Sequence, residues 1–285
     1  MGPRLSPVFW AVAALAGMGA ILALAASLRW RSASAMLRAL LKTSGSTVRG
    51  EFSRGDLAGL PVPVTRYFSR VLHEGQPIIQ STTLSQTGTF FVPMGGGRWV
   101  PMRAEQHFVV RPAGFVWDAH LAMMPFVPVL VRDSYAAGTG TMYVSVGGLY
   151  TVTHQSATPK LDAGALQRYL AECVWFPTAL LPSAGVVWQA RDEHSAVATL
   201  TDGHSTVSLV FFFDASGDVT HVTGDRYYED KGTYTLRPWT VTCREYDTHN
   251  GVRIPVECEV AWELPAGRLP YWRGVVSNVR YEFSH

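Results

Sequence analysis

The first strong pattern along the chain is an unbroken apolar run near the N-terminus. Residues 7–28 contain no charged side chain, and Trp10 and Trp30 stand near the two ends of this run. A helix of this length measures about 33 Å, which is enough to cross the ~30 Å hydrocarbon core of a bilayer. Tryptophan is also enriched at both membrane interfaces. The pattern therefore predicts a transmembrane helix within residues 1–30.

A cleaved signal peptide is the alternative interpretation of this run. Ala23-Leu24-Ala25 fits the small-residue cleavage pattern and Arg4 supplies a basic start, although a signal core usually has only ~7–15 apolar residues. The basic residues between the run and the first acidic residue, Glu51, are Arg29, Arg31, Arg38, Lys42 and Arg49. Basic residues concentrate on the cytoplasmic side of membrane helices. The sequence thus predicts a single-pass protein of the cell membrane with a cytoplasmic C-terminal domain, or, in the alternative, export after signal cleavage.

Beyond the run, residues 31–59 are predicted to form a basic juxtamembrane connector, and apolar residues at helical spacing predict a short helix over 63–74. From residue 80 the pattern changes to period two, with β-branched and aromatic residues separated by turn residues. The predicted strands lie near 80–91, 99–110, 115–123, 128–135, 140–153, 186–191, 195–201, 204–213, 218–228, 232–246, 252–263 and 271–283. One helix near 162–175 interrupts them.

These elements define the predicted fold class, which is mainly β (α+β). We expect an N-terminal transmembrane helix followed by a β domain over residues 60–285. A sheet of this many strands must protect its edges, and it can do so by curling around a helix or by closing. The β domain is therefore predicted to be a curled antiparallel sheet or half-barrel with one central helix.

The dipeptide Asn250-Gly251 is the strongest hairpin signal in the chain. A two-residue turn there places Cys243 directly opposite Cys258. Such a pair can form a disulfide in an oxidising compartment. The odd number of cysteines, three in the chain, does not indicate a disulfide framework, so two buried thiols are the favoured state.

One face of the predicted sheet is apolar and rich in aromatic side chains. Two interpretations of this face stay open, since a filled core and a cavity for an acyl chain or another hydrophobic ligand both need such side chains. The candidate lining residues are Phe108, Trp117, Trp175, Trp188, Phe211, Phe213, Trp239 and Trp262.

A candidate polar site lies on the central helix. Arg168 and Glu172 are four residues apart, so they face each other on one side of the helix. The pair is either structural or part of a site for a polar headgroup at a cavity mouth, with Asp133 and Tyr135 as possible neighbours.

A second polar group depends on the turn that Arg111-Pro112-Ala113-Gly114 is predicted to form. With that turn, His107 lies opposite Asp118 and Glu105 lies opposite His120. Two histidines and two carboxylates on one face could hold a divalent metal or perform acid–base chemistry. The alternative is a solvated face with cross-strand pairs of opposite charge.

Composition narrows the function classes. Only 16% of residues are charged, against about 25% in an average domain, and 12% are aromatic, which excludes a disordered chain. The net charge of +2 lacks the basic excess of a nucleic-acid-binding protein. We find no catalytic signature and no cofactor motif, so the sequence favours a non-enzymatic role without a cofactor.

Several short motifs resemble an uncharacterised bacterial family of membrane-anchored proteins, known as a domain of unknown function, over roughly residues 60–283. The motifs are Leu60-Pro61 with Arg66-Tyr67, Ala104-Glu105-Gln106, Gly114-Phe115-Val116-Trp117, Asp133-Ser134-Tyr135 with Gly138 and Gly140, Arg168-Tyr169-Leu170-Ala171-Glu172, Trp175, Pro177-Thr178-Ala179-Leu180, and Gly251 with Arg253-Ile254-Pro255. The resemblance implies no activity. More loosely, the pattern from Val186 to Arg226 is similar to half-barrels of the lipoprotein-carrier type, in which a sheet curls over a helix and shelters acyl chains; this likeness concerns the fold and does not determine function.

Together these observations favour a membrane-anchored protein that binds a lipid or another hydrophobic small molecule in a curved sheet. The first alternative is an anchored scaffold or assembly factor that binds a protein partner. The second is a metal-dependent or acid–base enzyme. A nucleic-acid partner is not expected.

Overall fold

The protein was analysed as a computed structural model that describes residues 7–43, 50–93, 96–125, 127–230 and 232–284. The chain begins with a long helix, α1 (Pro7–Thr43). Two short strands, β1 (Glu51–Phe52) and β2 (Gln76–Pro77), pair on either side of helix α2 (Val62–Val71). Single 3-10 turns occur at Arg54–Leu57, Cys173–Trp175, Pro177–Leu180 and Pro182–Ala184.

The remaining strands form one antiparallel sheet of 13 described strands. They are β3 (Ile79–Val92), β4 (Arg98–Val109), β5 (Gly114–Met124), β6 (Val127–Ala136), β7 (Thr139–Val146), β8 (Tyr150–Ser156), β9 (Val187–Ala190), β10 (Ser195–Asp202), β11 (Ser205–Phe213), β12 (Val219–Asp230), β13 (Thr233–His249), β14 (Val252–Leu264) and β15 (Gly267–Phe283). Strands β3 to β8 pair in chain order, strands β9 to β15 do the same, and β3 pairs with β15. The sheet therefore consists of two meanders joined at its centre.

Helix α3 (Pro159–Glu172) connects the two edges of this sheet, because it follows β8 and precedes β9. Thr158 caps the helix, since its side-chain oxygen accepts a hydrogen bond from the Leu161 amide. The helix packs against β6 and β7 on one side and against β11 and β12 on the other. The sheet thus curls around α3 as a half-barrel, which confirms the predicted β architecture with one central helix.

The predicted strands agree with the structure to within a few residues, apart from the segment 140–153. This segment is two strands, because Gly147 and Gly148 have φ values of 61° and 73° and form a turn between β7 and β8. The hairpin at Asn250-Gly251 is confirmed, and Cys243 pairs with Cys258 as two buried free thiols.

The C-terminal half of α1 lies on the convex face of the sheet over β4, β5 and β6. Trp30 is buried there, and the Arg132 guanidinium lies 4.1 Å from the centre of its ring. Arg132 Nε also donates to Asp118 Oδ1 at 3.1 Å, and Ser34 Oγ donates to the same oxygen at 2.9 Å. This half of the helix is therefore an integral part of the folded domain, and the predicted 31–59 connector is helical as far as Thr43.

The N-terminal half of α1 carries exposed apolar side chains, such as Trp10 at 63% exposure and Ile21 at 64%. Even so, no helix among the described residues combines the length and the sustained apolar character that crossing a bilayer requires. The transmembrane helix predicted within residues 1–30 is therefore not supported. Arg4 and Arg49, which entered the orientation argument, lie outside the described residues.

Candidate functional site

A large cavity lies between the concave face of the sheet and α3, with a volume of about 900 Å³. This volume is near the upper end of the 300–1,000 Å³ range of typical ligand sites. Aliphatic side chains of β5, β6, β7 and β14 form much of its wall, including Leu121, Val129, Val131, Val144, Val146 and Val260. Aromatic side chains also line it, namely Phe90, Trp117, Trp175, Trp239, Trp262, Tyr271 and Trp272. The interior is therefore predominantly apolar.

The cavity reaches solvent at one end of the half-barrel. Met124 at the end of β5 and Val152 on β8 line it and are 47% and 54% exposed. The other end of the concave face is closed by a filled core in which the rings of Phe108 and Phe176 lie 4.6 Å apart. The site is thus a pocket with one mouth.

Two facing glycines at the centre of the sheet shape one wall. Gly88 of β3 pairs with Gly274 of β15. A Cβ on Gly274 would lie 2.4 Å from the ring of Trp272, and a Cβ on Gly88 would lie 1.9 Å from the Arg273 carbonyl oxygen. Side chains larger than hydrogen at these positions would displace the strand and the Trp272 indole from the wall.

An ion cluster borders the inner end of the cavity. Arg168 Nη1 donates to Asp133 Oδ2 at 2.6 Å, and Arg168 Nε donates to Glu172 Oε1 at 2.9 Å. The guanidinium also lies 4.7 Å from the centre of the Trp117 ring. Burial alone would lower the pKa of Arg168, but the two carboxylates outweigh it and raise that pKa, so the arginine is permanently charged. Burial raises the pKa of Glu172 above its ordinary value.

A chain of hydrogen bonds fixes this cluster to the sheet. Gln106 Nε2 donates to Glu172 Oε2 at 2.7 Å, and Gln86 Nε2 donates to Gln106 Oε1 at 2.8 Å. Trp117 Nε1 donates to Gln86 Oε1 at 2.7 Å. Because each of these buried polar groups has a partner, the network is stable in an apolar site and holds the Trp117 indole in the cavity wall.

A model described as a family of unknown function, DUF6544, matches residues 50–274. The chain belongs to DUF6544. The match begins just after α1 and includes most strands of the half-barrel, in agreement with the resemblance drawn from the sequence motifs. No curated protein matches the chain.

Two solved structures are similar to this DUF6544 protein in part. One is a LolA superfamily protein from Nitrosomonas europaea, with 11% identity and a TM-score of 0.32, covering 77% of this chain and 92% of that chain. The other is a beta-barrel-like protein of the domain of unknown function DUF1849 from Brucella abortus, with 10% identity and a TM-score of 0.28, covering 72% of this chain and 99% of that chain.

The DUF6544 structure brings together three of the four residues of the predicted polar site. Asp133, Arg168 and Glu172 form the ion cluster at the cavity. Tyr135 does not join them, because its hydroxyl donates to Asp202 Oδ2 at 2.9 Å in a separate buried contact. The cluster lies at the closed end of the cavity and not at the mouth.

The predicted aromatic lining divides into two groups. Trp117, Trp175, Trp239 and Trp262 border the cavity. The other four, Phe108, Trp188, Phe211 and Phe213, belong to the filled core. Alternation along the strands placed all of these residues except Trp175, which follows the central helix, on the concave face. It carries no information on which end of that face is covered by α2 and the turns after α3.

The predicted register around the second polar group is wrong by two residues, because the turn after β4 begins one residue earlier than predicted. Val109 pairs with Gly114, so Glu105 lies opposite Asp118 while His107 and His120 have other partners. Gly114 is part of β5 and not of the turn, and a Cβ there would lie 2.6 Å from the Leu41 side chain of α1.

The neighbours of these four residues also differ from the prediction. Among the described residues, no group of three or more potential ligands is close enough to hold a metal ion. Asp118 instead accepts hydrogen bonds from Ser34 and Arg132 beneath α1, and Arg38 Nη1 lies 3.5 Å from its other oxygen.

His107 is buried beneath the C-terminal end of α1, and its Nδ1 lies 2.9 Å from Thr83 Oγ1. Burial, together with the positive charge of Lys42, lowers the pKa of His107 from 6.5 to about 4. The folded state therefore binds a proton at His107 less readily than the unfolded chain does.

We expect the free energy of unfolding to fall as the pH drops from about 6.5 to about 4, by on the order of 2 kcal/mol through this residue. The measurement is urea unfolding of the wild type and of His107→Gln across this pH range. His204→Gln, at an exposed turn, is the control. If the free energy of unfolding changed equally with pH in the wild type and in His107→Gln, the lowered pKa of His107 would be contradicted.

Three polar residues of the site were not predicted from the sequence: Arg226, which lines the cavity, and Gln86 and Gln106 of the hydrogen-bond network behind Trp117. All three lie on strands. The residues two positions before and after each of them face the concave side of the sheet. A polar residue at an inward position breaks the alternation of apolar and polar residues, and this interruption is the signal that could have revealed them.

Proposed function

We propose that this protein binds an apolar chain, such as the acyl chain of a lipid, in the cavity of its half-barrel. The observation that carries the proposal is the volume of about 900 Å³ with its predominantly aliphatic and aromatic wall. Removing each methylene group of a ligand from water contributes about 0.8 kcal/mol. An unfilled apolar cavity also forgoes the dispersion contacts that a chain would make with its lining.

The distribution of side chains supports an elongated ligand. The aliphatic residues, such as Val129 and Val146, belong to the same wall as the mouth residues Met124 and Val152. The Trp117 indole and the ion cluster of Arg168 lie deeper, next to α3. A flexible chain can follow this path, and the hydrogen-bonded network provides a preformed end to the pocket.

Binding of oleyl alcohol tests this proposal, since it supplies an apolar C18 chain without a charge. We expect native mass spectrometry of the detergent-free protein to show a 1:1 complex, and we expect the fluorescence of the wall tryptophans to change as the site fills. A protein that binds no oleyl alcohol, or that binds it without saturation, would contradict the proposal.

We also propose that the protein takes its ligand from a lipid surface. Supporting this, Arg29 Nη2 donates to the Gly148 carbonyl at 2.9 Å in the turn between β7 and β8, next to the mouth residue Val152. The exposed apolar half of α1, which includes Trp10 and Leu24, leaves the sheet there. Co-sedimentation with phosphatidylcholine vesicles tests this step, and a protein that stays in the supernatant would argue against it. The cell-membrane location and cytoplasmic orientation stay predictions.

The scaffold alternative has one observation in its favour. β8 is an edge strand, and Tyr150 on it and Leu149 just before it are 71% and 56% exposed. An exposed apolar edge strand is suited to pairing with another chain. Crosslinking that captures a specific partner through β8 in the ligand-free protein would favour this function.

A further inference from the structure

A second arginine, Arg226 of β12, borders the cavity, and it has no ionic partner among the described residues. Its guanidinium lies 4.4 Å from the centre of the Trp239 ring and 5.9 Å from that of Trp262. Its side chain is one of the few charged groups in an otherwise apolar wall. Arg226 therefore places a positive charge inside the proposed ligand site.

The hydrogen bonds of Arg226 are incomplete. Nη2 donates to the Gly164 carbonyl of α3 at 2.7 Å. Nε is buried without a partner, and within the part of the chain that the structure describes Nη2 is the only nitrogen of this guanidinium with one. A guanidinium has five N–H donors, so most of the donor capacity of Arg226 is unused.

The two carboxylates nearest the cavity are already engaged. Asp133 and Glu172 both pair with Arg168, and Glu172 also accepts from Gln106. Burial lowers the pKa of Arg226, but a guanidinium keeps its proton under all ordinary conditions. A buried charge is costly unless it is paired and hydrogen-bonded. Arg226 therefore needs a counter-ion, and the described residues do not supply one.

A second donor lies next to this arginine. Tyr271 borders the same cavity, and its hydroxyl oxygen accepts a hydrogen bond from Trp239 Nε1 at 2.9 Å. The hydroxyl hydrogen is then free to be donated elsewhere. Arg226 lies over the Trp239 ring and Tyr271 lies at its Nε1, so both donors contact one indole and form the kind of donor set that binds an anionic oxygen.

We propose that the ligand is an anionic amphiphile whose carboxylate or phosphate group binds Arg226, with Tyr271 as a second donor, while its chain fills the apolar cavity. This inference rests on the proposed function and specifies its ligand class. It also assigns an orientation, because the charged group must enter beyond the mouth to reach α3. The carboxylate of a fatty acid and the phosphate of a lysophospholipid share this chemistry.

The test compares ligands that have one chain and different headgroups. Oleate, 1-oleoyl-lysophosphatidate and uncharged oleyl alcohol are titrated into the full chain at pH 8, and the readout is the ratio of Kd for the alcohol to Kd for each anion. We expect the wild type to bind at least one anion about 10- to 100-fold more tightly than the alcohol, as a charge-assisted bidentate contact implies. The better anion identifies the headgroup.

Two variants separate this inference from the proposed function. Arg226→Met keeps an apolar stem on Trp239, and we expect its ratio to fall to about one while oleyl alcohol still binds. Arg273→Met is the matched control, because Arg273 also stacks on an indole, 4.4 Å from Trp99, but does not line the cavity. We expect its ratio to equal that of the wild type. Tyr271→Phe should lower the ratio less than Arg226→Met does.

The outcomes are distinct. A wild-type ratio near one overturns the inference even if no variant folds, while tight binding of oleyl alcohol leaves the proposed function intact. An unchanged ratio in Arg226→Met also overturns it. Failure of the wild type to bind any of the three ligands is failure of the proposed function itself. If Arg226→Met does not fold, Arg226→Lys replaces it, and its ratio should lie between those of the wild type and the neutral variant.

Discussion

Filling the cavity from two opposite walls, by Val144→Trp together with Val260→Trp, is expected to weaken the binding of oleyl alcohol at least tenfold. Val144 of β7 and Val260 of β14 both line the cavity and are only partly buried, so each indole can enter the free volume. Overpacking a filled core costs about 1–3 kcal/mol. Here the added atoms occupy space that is already empty, so the loss of stability should be smaller than that.

The measurement is the Kd for oleyl alcohol, with Tm recorded for each variant. Val187→Trp adds the same atoms to an exposed position of β9 outside the cavity and serves as the control. Undiminished affinity in a folded double variant would mean that the chain binds elsewhere, and the proposed function would then lose its site.

Replacing Arg168 by Met is expected to destabilise the fold by about 3–5 kcal/mol. The substitution leaves the buried carboxylates of Asp133 and Glu172 without their counter-charge and removes two hydrogen bonds of 2.6 and 2.9 Å. The free energy of unfolding in urea measures the loss. Arg268→Met is the control, since Arg268 also pairs with two carboxylates, Glu259 and Glu263, but its side chain is 39% exposed and exposed pairs contribute only about 0–1 kcal/mol each.

A triple variant separates the charge from the packing of this cluster. Arg168→Met combined with Asp133→Asn and Glu172→Gln removes all three charges. Because the replacement of a complete buried ion cluster is often nearly neutral, most of the stability should return. If Arg168→Met costs no more than Arg268→Met, the ion cluster is not the rigid end of the cavity that we describe.

Local patterns were sufficient for the elements of the half-barrel. Alternation predicted the strands because one face of the sheet is dry, and Asn250-Gly251 determined a register that places Cys243 opposite Cys258. The turn after β4 was placed one residue late because Gly114 resembles a turn glycine. Its actual role, to make room for the Leu41 side chain of a helix more than 70 positions away, is not visible in local sequence.

The cavity could be predicted only in part for the same reason. Phe108 and Trp117 are both aromatic residues on the concave face, yet Phe108 packs on Phe176 in the filled core and Trp117 borders empty space. The i, i+4 spacing of Arg168 and Glu172 was sufficient to pair them. Arg226 was missed because nothing near it in the sequence indicates that, among the described residues, its Nε lacks a hydrogen-bond partner and its charge lacks a counter-ion.

The pairing of β3 with β15 has a consequence for biosynthesis. Thr89 and Arg273, which pair there, are 184 positions apart. While the ribosome is still making β15, each meander presents an unpaired strand edge to its surroundings. The cavity takes its walls from both meanders, so it does not exist during that interval. Loading of any ligand must therefore be post-translational, and a nascent chain arrested before β15 should be unable to carry one.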